Sequence, residues 1–351
     1  MSSFYKLSIK EVRRETSEAV SVLFNVPLEF KDFYRFTAGQ YINLKLTLNG
    51  QELRRAYSLC SAPESGDLRI AIKAVNGGNF SVFANKQLQV GDVLEVGTPE
   101  GKFTFQPDVT RQKNYMAFAA GSGITPVISI VQSVMLSEPK STFVLAYGNK
   151  SPEQTIFHQQ LLDLQRQYVG RFFVHFVYSQ ANVNGELFGR IDKSTVNFML
   201  GNKHKEIEFE KFYLCGPEQM INTVSATLRE RNIKESAIKF ELFSTDSSTE
   251  NKPQTGADGH TKITILVDDE ETTFEMSQKQ TVLEAALKHG VDAPYSCQGG
   301  ICSSCLGRIT SGSAVMKKNS ILTDSEIAEG LILTCQAHPT SDTLYIDYDD
   351  V

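Results

Sequence analysis

Four of the six cysteines in this 351-residue chain fall between positions 297 and 335, and the other two are isolated. An even number of cysteines suggests disulfides in a secreted protein, whereas a local cluster in a reduced compartment suggests metal. The first residues have an alternating strand pattern without an apolar signal core, and no apolar run approaches the roughly 18–20 residues that span a bilayer. We therefore expect a cytoplasmic protein without membrane association, whose clustered cysteines bind metal.

The clustered cysteines are separated by four, two and 29 residues. This C-x4-C-x2-C pattern with a distant fourth cysteine is the plant-type spacing for a [2Fe–2S] cluster, in which four thiolates hold two irons. A zinc site normally uses paired C-x2-C units, and only one pair here has that spacing. Gly299 and Gly300 allow the backbone to turn around the sulfides and direct N–H groups at them. The predicted ligands are Cys297, Cys302, Cys305 and Cys335.

Three further regions differ in pattern. Residues 1–107 alternate apolar and polar positions between frequent Gly and Pro turns, which predicts a small antiparallel barrel or sandwich. Residues 108–243 begin with a continuous apolar run at 115–120 and continue as alternating strands and helices, which predicts a doubly wound parallel α/β domain. Residues 244–260 contain no large apolar residue, so we expect a flexible linker before a third domain at 261–351.

Charge is distributed unevenly between these regions. Residues 261–351 hold 14 acidic and 6 basic residues, and the totals of 41 and 35 leave 27 acidic and 29 basic residues before them. The net charge of −8 on the third domain suits docking on the rest of the chain or on a partner, and it equally suits a simple solvated surface. The net charge of −6 on the whole chain argues against a nucleic-acid partner.

A turn in the α/β region has the pattern of a dinucleotide site. Gly121 and Gly123 directly follow the buried strand as a G-x-G motif, and Thr125 and Pro126 begin the next helix. We expect Thr125 to be the N-cap and Pro126 the first helical residue, so that helix N–H groups face a pyrophosphate. The motif lacks the third glycine of the dinucleotide fingerprint, and a tight turn without a ligand is the alternative.

The tetrad Arg55-Ala56-Tyr57-Ser58 and the later turns, in this order, resemble the ferredoxin–NADP reductase superfamily. The resemblance implies FAD in the first domain, with Arg55 on the pyrophosphate, Tyr57 along the isoalloxazine or ribityl region and Ser58 near flavin N5. A Gly-rich turn that enters a short helix would receive the diphosphate, and a terminal aromatic ring would shield the flavin. These further residues are Gly77, Gly78, Ser81 and Phe243.

The same resemblance implies a nicotinamide site in the second domain. The turn Cys215-Gly216-Pro217 would place Cys215 beside the reactive carbon of the nicotinamide. Asn149 and Lys150 resemble the turn that holds the adenosine ribose, and a cation at position 150 can pair with the 2′-phosphate of NADPH. We therefore favour NADPH, with NADH as the alternative. The residues expected to act in hydride transfer are Ser58, Thr125 and Cys215.

The order of the domains implies a reductase whose C-terminal domain is a plant-type ferredoxin of β-grasp fold. Stretches such as 52–58, 119–126, 189–192, 294–297 and 333–337 are similar to those of reductase components of multicomponent oxygenases. Among these, the reductase components of di-iron phenylacetyl-CoA epoxidases are favoured over the reductase components of Rieske-type oxygenases and steroid hydroxylases. The implied electron path runs from NADPH to FAD, to the [2Fe–2S] cluster and to an oxygenase protein. A general NAD(P)H reductase and, more remotely, a redox-sensing protein are the alternatives.

Overall fold

The computed structural model describes residues 3–48, 50–243 and 259–351. These residues form two compact units, one up to Phe243 and one from Gly259 onward. The predicted linker, 244–260, lies outside the described residues except for its last two, of which His260 begins a strand.

An antiparallel barrel forms the first part of the larger unit. Its sheet order is β4-β3-β6-β1-β2-β5, and a bridge between Leu59 and Ile70 joins the two outer strands. Alternate side chains, among them Ile42 and Leu44, are fully buried inside, as the apolar–polar alternation predicts. The elements are β1 (Phe4–Thr16), β2 (Ala19–Asn25), β3 (Tyr41–Leu48), β4 (Gln51–Ser58), β5 (Leu68–Lys73), α1 (Asn79–Lys86) and β6 (Val93–Gly97).

A six-stranded parallel sheet with helices on its faces forms the second part. The strand order is β10-β9-β8-β7-β11-β12, so the chain reverses direction across the sheet between β7 and β11. Both β7 and β8 are almost entirely buried, which explains their continuous apolar sequences. The elements are β7 (Asn114–Ala120), α2 (Ile124–Ser137), β8 (Thr142–Asn149), α3 (His158–Gln167), β9 (Phe172–Tyr178), β10 (Leu187–Phe188), α4 (Lys193–Phe198), β11 (Lys211–Gly216), α5 (Glu218–Glu230) and β12 (Ile238–Leu242).

Helix α2 fixes the barrel to the parallel sheet. Ser129 Oγ donates a hydrogen bond of 2.6 Å to the carbonyl of Ser61, which follows β4. One turn further on, the hydroxyls of Ser133 and Ser137 each donate to the same Glu64 Oε1 at 2.7 Å. Because these donors lie along one helix face, a single helix holds the two parts of the larger unit in register.

The smaller unit is an α+β domain around a mixed five-stranded sheet. The order is β14-β13-β19-β15-β17, in which only β13 and β19 run parallel. Val282, Leu283 and Ala286 of α6 pack into its core with Ile263 and Ile346. The elements are β13 (His260–Val267), β14 (Glu270–Ser277), α6 (Val282–Lys288), β15 (Leu306–Ser311), β16 (Ala314–Met316), α7 (Asp324–Ala328), β17 (Leu331–Leu333), β18 (Ala337–Pro339) and β19 (Thr343–Asp347).

The three predicted fold classes are confirmed: an antiparallel barrel, a parallel α/β sheet and an α+β C-terminal domain. Within the described ranges no helix is long and apolar enough to cross a bilayer.

A buried carboxylate organises the segment that leads from the barrel into the sheet. Glu138 is fully buried directly after α2. Its Oε2 accepts hydrogen bonds from Tyr115 Oη at 2.9 Å and Ser141 Oγ at 2.8 Å, and its Oε1 accepts from the Asp108 backbone N–H at 3.0 Å. Such a carboxylate is costly to remove, because its donors would stay buried without acceptors.

We predict that Glu138→Ala destabilises the larger unit by about 3 kcal/mol, because two buried hydroxyls and the half-buried Asp108 N–H lose their acceptor. Urea unfolding followed by flavin fluorescence measures this change. The control is Glu210→Ala, which removes an exposed ion pair of 2.7 Å with Lys113 and should cost less than about 1 kcal/mol. Equal midpoints for the two variants would contradict the role of Glu138.

Candidate functional site

Two loops meet at the carboxyl edge of the parallel sheet, where the strand order reverses between β7 and β11. A Cβ at Gly123 would lie 2.2 Å from the carbonyl oxygen of Cys215, so only glycine permits this approach. Tyr147 Oη donates a 2.8 Å hydrogen bond to the carbonyl of Gly121, which fixes the position of the loop that follows β7. Crevices at such a reversal are where open α/β sheets bind ligands.

Helix α2 begins earlier than predicted. Gly121–Gly123 form a 3₁₀ turn that runs directly into the helix, which starts at Ile124 with Gly123 at the N-cap. The expectation that Thr125 is the N-cap is therefore wrong: its Oγ donates to the carbonyl of Ser122 at 3.1 Å. Pro126 lies in the first turn, where its missing N–H breaks no helical bond. The helix N-terminus still faces the crevice, as the dinucleotide pattern requires.

A cleft of about 430 Å³ opens at this edge. Of the residues predicted for the nicotinamide cofactor, it is lined by Gly121, Asn149, Lys150 and Pro217. The Nδ2 atom of Asn149 is buried and has no hydrogen-bond partner. A buried donor of this kind is available to a ligand. Gly123, Thr125, Pro126, Cys215 and Gly216 lie in the adjoining loops and do not line the cleft itself.

The loop after β10 adds a cation to this cleft that the sequence reasoning missed. Ile191 lies over Gly148 at the end of β8, 3.3 Å from the position of a Cβ there. This contact brings the neighbouring Arg190 into the cleft lining together with Lys150 and Lys73. In the described part of the chain none of these three cations forms an ion pair. The cleft therefore offers several cations to an anionic ligand.

The residues predicted for FAD lie on two elements of the barrel. Arg55, Tyr57 and Ser58 lie near the end of β4, with Arg55 exposed and Ser58 buried. The Tyr57 ring lies 5.6 Å from that of Phe80 in α1, measured between centroids, and burial raises its phenol pKa. The ring of Tyr57 is thus braced by the helix that carries the other predicted residues.

Those other residues surround the start of α1. Gly78 is the N-cap, and Gly77 before it has φ +73°. Ser81 Oγ accepts a 3.1 Å hydrogen bond from the Val75 backbone N–H, which closes the turn. Unsatisfied N–H groups of a helix N-terminus favour phosphate, so the local geometry suits a diphosphate.

Ser58, Cys215 and Glu241 converge from the barrel and the sheet. Ser58 Oγ donates to Glu241 Oε2 at 3.4 Å. Burial raises the pKa of Glu241 to about 8, although the hydrogen bond from Ser58 acts to lower it. Burial, and then the nearby Glu241, raise the pKa of the Cys215 thiol well above its usual value, so this thiol is neutral. Phe243 packs, partly buried, against the core that contains Cys215.

Glu241 is the functional candidate that the sequence reasoning did not name. Its signal was a carboxylate in the edge strand β12, two residues before the predicted aromatic residue Phe243. A strand carboxylate usually points to solvent, and only the structure shows that this one turns toward Ser58.

The four clustered cysteines lie in two neighbouring pairs in the smaller unit. Cys302 Sγ is 3.1 Å from Cys297 Sγ, and Cys305 is hydrogen-bonded to Cys335. Cys305 and Cys335 are 1% and 5% exposed, whereas Cys297 and Cys302 are half-buried. The hydrogen bond from the Cys302 thiol, with the Gly299 N–H at 3.3 Å, lowers the pKa of Cys297 to about 6.

The surroundings of these thiols fit a [2Fe–2S] cluster. Gly300, at φ +72°, packs against the Lys318 carbonyl at a distance that a side chain would not allow. Backbone N–H groups of the cysteine loop point at sulfur, as they do where they stabilise cluster thiolates. Ser296 is 1% exposed, and its Oγ has no partner. A sulfur atom of the cluster would give this buried hydroxyl, which precedes Cys297 in the chain, a hydrogen-bond acceptor.

Three family profiles match the chain in this order. Residues 6–105 match the oxidoreductase FAD-binding domain, residues 118–226 the oxidoreductase NAD-binding domain and residues 265–340 the 2Fe-2S iron-sulfur cluster binding domain.

Relatives match over the full length of the chain. A subunit of the 1,2-phenylacetyl-CoA epoxidase of Escherichia coli K12 is 34% identical, over 99% of each chain. The chain belongs to the ferredoxin–NADP reductase superfamily, in the family that carries a C-terminal [2Fe–2S] ferredoxin domain. The ferredoxin reductase component of the 3-ketosteroid-9-alpha-monooxygenase of Rhodococcus rhodochrous is 30% identical over 97% of this chain and 96% of that protein. Phthalate dioxygenase reductase has the same fold, with a TM-score of 0.62, 23% identity and 98% coverage of both chains.

Membership in this family confirms the predicted enzyme class and cofactors. The protein is an NAD(P)H-dependent oxidoreductase that uses FAD and a [2Fe–2S] cluster for electron transfer. It is a reductase of the kind that serves oxygenase systems. The individual site residues remain predictions, to which the geometry above adds Arg190 and Glu241.

We predict that Cys305→Ser abolishes the cluster and leaves flavin reduction by NADPH largely intact, because the flavin and nicotinamide residues belong to the other compact unit. Iron and sulfide content, with visible absorbance under anaerobic NADPH, measures both effects. The control is Cys60→Ser, since the Cys60 thiol only donates to the Arg69 carbonyl. Full iron content in the Cys305 variant would contradict its assignment as a ligand.

We predict that Glu241 makes the folded state less stable as the pH rises from about 4.5 to about 8. Its carboxyl ionises near 4.5 in the unfolded chain and near 8 in the folded one, so the folded state binds the extra proton in this window. Glu241→Gln should flatten this part of the pH profile of the melting temperature. Glu210→Gln is the exposed control. Parallel profiles for the wild type and Glu241→Gln would rule out the raised pKa.

Proposed function

We propose that this chain is the reductase component of a phenylacetyl-CoA epoxidase and passes electrons from NADPH to its di-iron oxygenase protein. The observation that carries the proposal is the 34% identity to the epoxidase component of Escherichia coli over 99% of both chains. The steroid monooxygenase reductases match at similar length with 29–31% identity, so they define the second candidate. A cytoplasmic location suits a chain in which none of the six cysteines forms a disulfide.

The barrel, residues 1–107, is proposed to hold FAD. Arg55 binds the pyrophosphate, because an exposed guanidinium at the end of β4 has the fork geometry that phosphate accepts. Tyr57 lies along the flavin, and Ser58 approaches N5. The start of α1 contributes backbone N–H groups for the diphosphate, and an aromatic ring of the second domain covers the flavin. These remaining residues are Gly77, Gly78, Ser81 and Phe243.

Residues 108–243 are proposed to bind the nicotinamide cofactor. The diphosphate lies at the start of α2, where the glycine loop and the helix N-terminus offer N–H groups. Thr125 and Cys215 position the nicotinamide ring, and the neutral Cys215 thiol adds no charge near the reacting carbon. Asn149, with its unpartnered Nδ2, binds the adenosine ribose. The other contact residues are Gly121, Gly123, Pro126, Lys150, Gly216 and Pro217.

Residues 261–351 are proposed as the ferredoxin domain, joined to the other two through the linker 244–260. Four cysteines, two buried and two half-buried, supply the thiolates for the cluster. When bound, FAD and the [2Fe–2S] cluster convert hydride transfer from a nicotinamide into single-electron transfer. The chain itself binds and orients these groups, and Glu241 holds its proton at Oε near Ser58 at neutral pH.

NADPH is favoured over NADH by the cations of the cleft. Lys150 and Arg190 come from neighbouring loops at the carboxyl edge of the sheet and line the same cleft. The backbone N–H of Gln180 donates to the Lys150 carbonyl at 2.9 Å, which fixes this loop beside the end of β9. Asp192 also lines the cleft, but no ion pair joins it to either cation in the described residues, so both positive charges are available to a 2′-phosphate.

We predict that Lys150→Ala and Arg190→Ala each raise the KM for NADPH about tenfold, which corresponds to about 1.4 kcal/mol of lost phosphate binding. The KM for NADH should change less than about twofold. Steady-state reduction of ferricyanide measures both. Lys193→Ala, which removes an exposed pair with Glu230, is the control. An equal rise for both cofactors would mean that these cations bind the shared diphosphate instead.

The epoxidase assignment is tested by coupling. Purified holoprotein is mixed with NADPH, phenylacetyl-CoA and the oxygenase component of a phenylacetyl-CoA epoxidase, and epoxide formation is compared with NADPH consumed. We expect close to one epoxide per NADPH. A steroid hydroxylase oxygenase and a Rieske-type oxygenase are the comparison acceptors. Tighter coupling to either of them, or NADPH oxidation without product in every pairing, would overturn the assignment.

A further inference from the structure

The acidic charge of the ferredoxin domain is absent from the part that carries the cysteine loop. Residues 293–323 contain no Asp or Glu and three basic residues. The remainder of residues 261–351 contains all 14 acidic residues of the domain and the other three basic ones. A net charge of about −11 on one part of the domain and +3 on the other is a strong polarity for a domain of this size.

Two of the three cations in this segment lie directly beside the cysteine loop. The lysine loop, residues 317–320, is bound to it by the Ser320 backbone N–H, which donates to the Gly300 carbonyl at 3.2 Å. The Lys317 N–H donates to the carbonyl of Gln336, the residue after Cys335, at 3.0 Å. Gln336 in turn donates from Nε2 to the Gln298 carbonyl at 3.0 Å. The lysine loop is therefore part of the rim around the cysteines.

The third cation does not contribute to this rim. Arg308 Nε lies 3.1 Å from Asp350 Oδ2, so its charge is paired with the acidic C-terminal segment. Lys317 is exposed, Lys318 is half-buried, and the nearby Val315 is 46% exposed. The rim thus combines exposed positive charge with a small apolar contact, and both favour a protein partner.

We propose that the lysine loop is the docking surface for the electron acceptor, and that the acceptor presents an acidic face at its point of electron entry. This inference rests on the proposed function only in that the acceptor is a protein. Carboxylates of the acceptor pair with the exposed Lys317, while the acidic remainder of the domain repels the same face. Attraction at the cysteine rim with repulsion elsewhere selects the orientation that brings the acceptor closest to the cluster.

The test compares two charge reversals that change the net charge of the domain equally. Lys317→Glu alters the lysine loop, and Lys262→Glu alters an exposed position in β13, a strand of the central sheet. Dissociation constants of the oxidised holoprotein are measured by biolayer interferometry at 20 and 200 mM salt. The probes are the oxygenase component of a phenylacetyl-CoA epoxidase, the acidic haem protein cytochrome b5 and the basic cytochrome c.

We expect Lys317→Glu to weaken binding of the oxygenase component and of cytochrome b5 about fivefold to tenfold at 20 mM salt, and Lys262→Glu less than about twofold. The difference should shrink at 200 mM salt because the charges are screened. Cytochrome c should bind the Lys317→Glu variant more tightly. Lys317→Gln should change each dissociation constant in the same direction by a smaller factor. Unchanged cluster absorbance shows that the variants fold.

Equal effects of the two reversals on cytochrome b5, or tighter binding of cytochrome b5 by Lys317→Glu, would overturn the docking surface. If the wild type bound cytochrome b5 through the lysine loop and did not bind the oxygenase component, the docking surface would be supported and the epoxidase assignment contradicted. The two proposals therefore fail separately.

Discussion

The contact between Gly123 and the Cys215 carbonyl is the constraint on which the reactive part of the structure depends. It allows the turn after β7 to lie against the turn after β11, in the space that any side chain would occupy. Both turns then border the cleft at the carboxyl edge of the sheet, one with the start of α2 and the other with the buried, neutral thiol of Cys215 behind it. A larger residue at position 123 would push the two turns apart and change the edge of the cleft that they border.

Helix α2, which starts at the first of these turns, also contacts the barrel. Its first turn follows the glycine loop that borders the cleft, and its later turns donate three hydroxyl hydrogen bonds to the segment that follows β4. Ser58, at the end of β4, therefore reaches Glu241 at the end of the sheet. The residues predicted to bind flavin and nicotinamide come from different domains, yet one helix sets their relative position. This is why the two domains form a single compact unit.

Sequence reasoning was most successful where function needs residues that are close in the chain. Three features could be recognised in the sequence because each depends on residues that are close in the chain: the cysteine spacing, the G-x-G turn after a buried strand and the order of the domains. Arg190 belongs to the stretch 189–192 that resembled the family, but it received no role because β10 before it has only two residues and gives no periodic signal to place it at the cleft. Glu241 was missed because its burial depends on the barrel, which lies almost 200 positions earlier in the chain. The N-cap at Thr125 was misplaced because a 3₁₀ turn already continues into the helix.

The two compact units differ in how they shield their reactive groups, and the difference follows from the chemistry. Hydride transfer requires contact between donor and acceptor and exclusion of water, and the two residues predicted to act there, Cys215 and Ser58, are accordingly buried. A single electron crosses several ångströms of protein without contact, so its exit needs proximity to the surface more than enclosure. Cys297 and Cys302 are half-buried beside an exposed loop. Enclosure therefore suits the site at which hydride enters, and proximity to the surface suits the site from which single electrons leave: the nicotinamide must enter the cleft, while the acceptor need only touch the rim.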